Sequence, residues 1–140
     1  ASDVYKRQHF ARSIQEGASY CLRDVIVLME KMGLSVKKIV AAGGGAKSTV
    51  WCQIKSDVTK KVVLVPKVKS VSAYGSAMLA AVGAKVLPSL KTASERWVKY
   101  DQVFQPSETV GLTYDKLYEA YESAYWSLKD IFSKLSKLQE

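Results

Sequence analysis

A run of three glycines at positions 43–45 is the feature of this sequence that could most directly do chemistry. It ends a short apolar segment and is soon followed by Ser48 and Thr49, residue types that commonly begin helices. Because glycine has no Cβ atom, its backbone can approach a ligand closely. The first turn of a helix also presents free N–H groups and the positive end of the helix dipole, which favour an anion. The segment could therefore hold a phosphate-bearing ligand, or it could be an ordinary tight turn.

The spacing around the glycines excludes the two best-known nucleotide motifs. A Walker A loop needs glycines at positions 46 and 41, before Lys47, but alanine occupies both. The dinucleotide fingerprint would need a further glycine at or near Ser48. Glycines at such a turn are as often structural as ligand-binding. Their position just after a buried strand favours a ligand, because parallel sheets bind ligands beyond the carboxyl ends of their strands.

Other kinds of catalytic site have little support in the sequence. His9 is the only histidine, and no cysteine cluster accompanies it, so a metal site is not expected. A Ser-His-Asp triad would depend on His9, and the chain has no Gly-x-Ser-x-Gly elbow, which argues against a hydrolase. Glu16, Asp24 and Asp57 lie on separate helical segments, where a surface or capping role is expected rather than that of a general base.

The glycine loop must be positioned by alternating helices and strands. We predict helices over 9–32, 47–60, 73–82, 89–98 and 114–138, strands over 36–42 and 62–65, and connecting chain over 99–113. Residues 1–8 have no period that assigns them to an element. Strands that alternate with helices imply crossover connections and a parallel sheet. Two strands are few for a sheet covered on both faces, so we expect part of a larger α/β unit.

Two of the predicted helices have apolar faces that we expect to be buried. On helix 9–32, which Gly33 should cap, the face consists of Ile14, Ala18, Cys21, Leu22, Val25, Leu28, Met29 and Met32. On helix 114–138 it consists of Tyr114, Leu117, Tyr121, Ala124, Leu128, Ile131, Leu135 and Leu138. The second pattern also matches a coiled-coil seam, which leaves a homodimer open. Over so few heptads, packing against the helix's own domain is the stronger expectation.

Composition and charge restrict the class of protein. The 140 residues suit one domain, and 48% hydrophobic with 24% charged residues is typical of a globular fold. The formal charge of +8 invites a nucleic-acid partner, but the lysines are spread along the chain, which favours a solvated surface and no nucleic acid. No apolar run is long enough to span a membrane, and no signal peptide is visible. Cys21 and Cys52 are expected to be free, buried thiols in a reducing cytoplasm.

Several segments of the chain, in order over 9–135, resemble motifs of the FGGY carbohydrate kinases, in particular the xylulokinase branch. The most specific match covers the glycine loop and the helix after it, Gly43-Gly44-Gly45-Ala46-Lys47-Ser48-x-x-Trp51-x-Gln53-Ile54-x-x-Asp57-Val58. The others are His9-x-x-Arg12-x-x-x-Glu16-Gly17, then Ala73-x-Gly75-Ser76-Ala77-x-Leu79-Ala80-Ala81-Val82-Gly83, and Tyr114-x-x-Leu117-Tyr118-x-x-Tyr121-x-x-x-Tyr125-x-x-Leu128-Lys129. Matches in this order are much more specific than the glycines alone.

The resemblance implies an α/β fold, part of an actin-like, ribonuclease-H-like ATPase domain, with residues 9–140 forming the C-terminal portion of the second domain. It implies a sugar kinase that uses ATP and Mg²⁺ to phosphorylate a sugar similar to D-xylulose. It places Gly44, Gly45 and Ala46 beside the adenosine and α-phosphate and Thr49 beside the adenine, with Ser48 in the same ATP-binding set. The remaining implied partner is a small sugar, bound mainly through an N-terminal part that these residues do not include.

The family's catalytic aspartate and its first phosphate loop have no counterpart in these 140 residues. Phosphoryl transfer needs in-line positioning, a metal ion and a base. We therefore expect weak nucleotide binding and no turnover from this chain by itself. Two other interpretations stay open: a stand-alone nucleotide-binding or regulatory module, and a basic domain that binds nucleic acid or another partner.

Overall fold

The computed structural model describes residues 2–138 as a small mixed sheet with helices packed around it. In chain order the elements are α1 (Ser2–Lys31), β1 (Lys38–Val40), a 3₁₀ turn (Gly44–Lys47), α2 (Thr49–Thr59), β2 (Val62–Pro66), α3 (Val71–Gly83), α4 (Leu90–Trp97), β3 (Tyr100–Phe104) and α5 (Glu108–Lys137). Residues 2–8, to which the sequence assigns no element, form the start of α1. Ala1 and residues 139–140, the last two of the predicted range 9–140, lie outside the described residues.

The sheet has the strand order β1-β2-β3 and is only partly parallel. The parallel pairing of β1 with β2 confirms the predicted crossover, with Ile39 opposite Val63. β2 pairs antiparallel with β3, with Leu64 opposite Val103, so the prediction of connecting chain over 99–113 is wrong. Four of the five residues of β3 are exposed, so hydrogen bonds to β2 rather than a buried apolar face hold it in place. α5 also begins six residues before the predicted position 114.

Helix α2 lies between two buried clusters and connects the helical layer to the sheet. On one side Ile54 and Val58 pack with aromatic residues of the two long helices, Tyr20 of α1 and Tyr114 and Tyr118 of α5. On the other side Cys52 packs with Ala41, Ala46 and Val63. Ala41 directly follows β1, Ala46 lies in the 3₁₀ turn, and Val63 lies in β2. Because the glycine turn contributes a residue to the second cluster, its position is fixed by the core.

The apolar faces predicted for the two long helices are largely exposed. On α1 the buried residues are Ser19, Tyr20 and Ile26, whereas Leu28 is 59% exposed, because α1 contacts α2 through a different face. On α5 packing ends near Tyr121, and the apolar residues between 125 and 138 are exposed. Neither helix, nor any other within residues 2–138, is long and apolar enough to cross a membrane.

The two cysteines differ in their surroundings. Both are free, as predicted, and Cys52 is fully buried. Cys21 is exposed, which corrects the expectation of a buried thiol, because its face of α1 turns away from α2. Its sulfur lies 3.3 Å from the hydroxyl of Tyr121.

Alkaline pH should weaken the contact between α1 and α5. Burial is the main cause that raises the pKa of Tyr20 to about 12, and burial also raises the pKa of Tyr118. Tyrosine in an unfolded chain ionises near pH 10, so the folded protein should be fully stabilised below about pH 10 and lose stability between about pH 10 and pH 12. Urea midpoints measured from pH 8 to pH 12 should fall over that window. The fall should be smaller for Tyr20→Phe, and an identical pH profile would contradict this assignment.

Candidate functional site

A cleft lies beyond the carboxyl ends of the two parallel strands. It has a volume of about 480 Å³ and is bounded by the loop after β1, the loop after β2 and the start of β3. Its walls include Gly43 and Ala46 from the first loop, Lys67 and Val68 from the second, and Asp101 from β3. A cleft of this size at this edge of a sheet is a usual place for a small ligand.

Gly43 is a glycine because of its backbone conformation. Its φ of 74° and ψ of −157° lie in a region that essentially only glycine adopts. This conformation turns the chain from the end of β1 into the 3₁₀ turn, where the Gly43 carbonyl accepts the N–H of Ala46 at 3.2 Å. Gly43 lines the cleft but is not among the site residues predicted from the sequence.

Gly45 is a glycine because a tryptophan ring occupies the space beside it. A Cβ atom at this position would lie 2.9 Å from Cζ3 of Trp51. That ring is held by a hydrogen bond from its Nε1 to the carbonyl of Gln15 on α1, at 3.2 Å, and the ammonium group of Lys55 lies 4.1 Å from its centre. Glycine at position 45 therefore makes room for the Trp51 ring inside the protein. The space that a side chain would fill lies towards Trp51 and not in the cleft.

Gly44 and Thr49 are the predicted site residues that remain open to solvent. A Cβ atom on Gly44 would meet nothing within 4 Å, and both residues are exposed. Thr49 is the first residue of α2, where helix N–H groups have no partner in the helix. Neither residue is part of the cleft wall.

Ala46 and Ser48 hold the loop in place. The Ala46 side chain is buried with the sheet cluster, and its carbonyl accepts a weak hydrogen bond from the Cys52 thiol, whose pKa is raised by burial. Of the two candidate caps, Ser48 and Thr49, Ser48 is the N-cap of α2, with its Oγ accepting the Trp51 N–H at 3.2 Å. Of the five predicted residues, only Ala46 lines the cleft itself.

The candidate general bases are engaged elsewhere in the fold. Glu16 accepts hydrogen bonds from Arg12 and Tyr114, Asp24 accepts one from Tyr118, and buried Asp57 accepts the N–H of Ser107. None of the three lines the cleft. Within residues 2–138, no group of three His, Cys, Asp or Glu side chains is placed to hold a metal ion. Asp101 is the carboxylate in the cleft wall, and the described residues place no metal site beside it.

Several residues of the cleft were not predicted from the sequence. Lys67 and Lys69 follow β2 and could have been found by applying the strand-end rule to the second strand as well as the first. Asp101 and Gln102 belong to β3, where Tyr100, Val103 and Phe104 are strand-favouring residue types that the prediction of connecting chain overlooked.

The sequence matches a family model and a set of curated kinases. The model for the FGGY family of carbohydrate kinases, C-terminal domain, matches residues 2–84. The xylulose kinase of Bacillus subtilis is 32% identical over 137 residues, which is 98% of this chain and 28% of that protein. The chain therefore spans little more than a quarter of the length of this relative.

Solved structures of kinases have a fold similar to that of this chain. The xylulose kinase from Rhodospirillum rubrum superposes with a TM-score of 0.79 at 25% identity, over 91% of this chain and 26% of that one. The glycerol kinase of Plasmodium falciparum, solved with ADP, superposes with a TM-score of 0.69 at 25% identity, over 84% of this chain and 24% of that one.

Proposed function

The chain belongs to the FGGY family of carbohydrate kinases, and from its match to their C-terminal domain we propose that it forms one wall of the ATP site of a sugar kinase. The complete enzyme would transfer the γ-phosphate of ATP to a hydroxyl of a sugar similar to D-xylulose. We propose the xylulokinase branch because xylulose kinases match both the sequence and the fold.

The single observation that carries the nucleotide assignment is the glycine turn at the end of β1, next to the cleft. Its Gly44 is exposed with no atom within 4 Å of a Cβ position, and Thr49 follows at the start of α2. Open backbone next to a helix N-terminus suits the phosphate and ribose of a nucleotide. A similar fold was solved with ADP, which supports the same ligand class here.

The proposed setting of this wall is a larger actin-like domain. Exposed apolar residues on α1, Ile14, Leu28 and Met32 among them, support a second body of protein against this face. The sugar would be held mainly by that other part. Mg²⁺ would enter as its complex with ATP, since the described residues do not assemble a metal site of their own. Free cysteines agree with a proposed cytoplasmic location.

We expect the 140-residue chain to bind ATP without phosphorylating a sugar. The reason is that the aspartate expected as the family's base has no counterpart in these residues, and that Glu16, Asp24 and Asp57 lie outside the cleft with partners of their own. Calorimetric titration with ATP should give saturable binding. A coupled ADP-release assay with ATP, Mg²⁺ and D-xylulose should not rise above the assay without sugar.

Two results would contradict the proposal in different ways. Absence of ATP binding by a folded chain would remove the nucleotide assignment. Sugar-dependent ADP release would show that the catalytic groups are present in these residues, which contradicts the division of the site between this chain and another part.

A further inference from the structure

Three lysines from two loops line the cleft beyond the sheet. Lys47 ends the 3₁₀ turn after β1, and Lys67 and Lys69 lie in the loop between β2 and α3. Asp101 is the carboxylate among the residues that form the walls. The residues that line the cleft therefore carry three positive charges and one negative charge, and the electrostatic potential there favours an anion.

These lysines differ from several others nearby, which have partners within the protein. Lys60 forms an ion pair with Asp115 and Lys61 one with Glu30, each at 2.6 Å. Lys55 lies over the ring of Trp51. No ion pair among the residues 6–138, whose side chains are described, involves Lys47, Lys67 or Lys69. Their mutual repulsion would be relieved by a multiply charged anion.

We propose that Lys47, Lys67 and Lys69 bind the phosphate groups of the nucleotide, so that the cleft selects the charged nucleotide over the uncharged nucleoside. This inference rests on the proposed function and adds a set of contacts to it. An ammonium group on a flexible stem is a common phosphate ligand, and a lysine can reach several oxygens of a phosphate chain. The exposed Gly44 and Thr49 would then face the ribose and the α-phosphate, and the lysines the rest of the phosphate chain.

The test compares ligands of increasing charge on matched lysine variants. Affinities for adenosine, AMP, ADP, ATP and inorganic tripolyphosphate would be measured by calorimetry for the wild type, for Lys67→Ala/Lys69→Ala and for the control Lys37→Ala/Lys91→Ala. The control removes the same charge from exposed positions outside the cleft. Thermal unfolding of all three proteins would verify that each is folded.

The cleft variant should lose about fivefold to tenfold in affinity for ATP and less than about twofold for adenosine. Its ATP binding should also depend less on salt, and the control should resemble the wild type. Equal losses for ATP and adenosine, or equal losses in the control, would overturn the lysine inference and leave nucleotide binding intact. Tripolyphosphate binding without any contribution from adenosine would support the lysines and contradict the proposed function. Failure of all ligands to bind the folded wild type would overturn both.

Discussion

Gly45→Ala should lower the free energy of unfolding by about 2 kcal/mol relative to the matched change Gly44→Ala. The new Cβ would lie 2.9 Å from Cζ3 and 3.3 Å from Cε3 of Trp51, both closer than a relaxed contact. The ring cannot move away freely, because its N–H is bonded to the Gln15 carbonyl on α1. At Gly44 the new Cβ enters open space, and alanine there restricts the unfolded chain, which stabilises the folded state slightly.

Urea unfolding of the two variants, with the wild type as reference, would measure the difference. The cause is separated by repeating Gly45→Ala in a Trp51→Leu background, where the six-membered ring that it meets is gone. The cost of Gly45→Ala should then shrink markedly, since the two positions are in contact and their effects should not add. An unchanged cost in that background would show that the backbone, and not the Trp51 ring, requires glycine at this position.

The glycine turn illustrates what the sequence could and could not predict. The apolar run, the glycines and the capping serine correctly predicted a strand, a turn and a helix in this order. The three glycines nevertheless differ in their surroundings. Gly43 has a backbone conformation that favours glycine, Gly44 has open space beside it, and Gly45 lies against the Trp51 ring. The last depends on Gln15, which is far away in the sequence and fixes the Trp51 ring, so local pattern could not reveal it.

Periodicity predicted the long helices better than it predicted their buried faces. On α1 the apolar stripe that includes Leu28 is exposed, and the face against α2 and α5 carries Ser19 and Tyr20. Tyrosines on this face satisfy their hydroxyls across the interface, for example Tyr114 with Glu16 at 2.8 Å. Tyrosine can be buried on this face because its hydroxyl finds a hydrogen-bond partner there. A prediction that considered only the hydrophobic residues therefore chose the wrong side of the helix.

Strand β3 and the early start of α5 were missed because their stabilisation is tertiary. The backbone of β3 is held by β2, and the carbonyl of Phe104 at its end accepts a hydrogen bond from Ser56 of α2 at 3.0 Å. The next few residues are held by the same helix, since Gln53 donates to the Gln105 carbonyl and Asp57 accepts the N–H of Ser107, each at 2.8 Å. Polar side chains of α2 thus position the end of β3 and the residues that lead into α5.

Asp57→Ala should therefore destabilise the protein by about 2 kcal/mol, although aspartate inside a helix is a weaker helix former than alanine. The carboxylate is only 6% exposed, and its Oδ1 accepts both the Ser107 N–H and the side-chain amide of Gln53. Removing it takes an acceptor from two half-buried donors, and one of them is the N–H of Ser107, the residue that caps α5. The cost of unsatisfied donors exceeds the gain in helix propensity, which is at most about 0.7 kcal/mol.

Two control variants make this expectation specific to the acceptor. Asp57→Asn keeps an oxygen that can accept the Ser107 N–H, so its loss of stability should be clearly smaller than that of alanine. Asp130→Ala removes a carboxylate from the exposed part of α5 and should change stability by less than about 0.5 kcal/mol. Amide hydrogen exchange should also be faster at the N-terminus of α5 in Asp57→Ala, because that end is released from α2. Equal effects of the alanine and asparagine variants would show that the charge, and not the hydrogen bond to Ser107, anchors this helix.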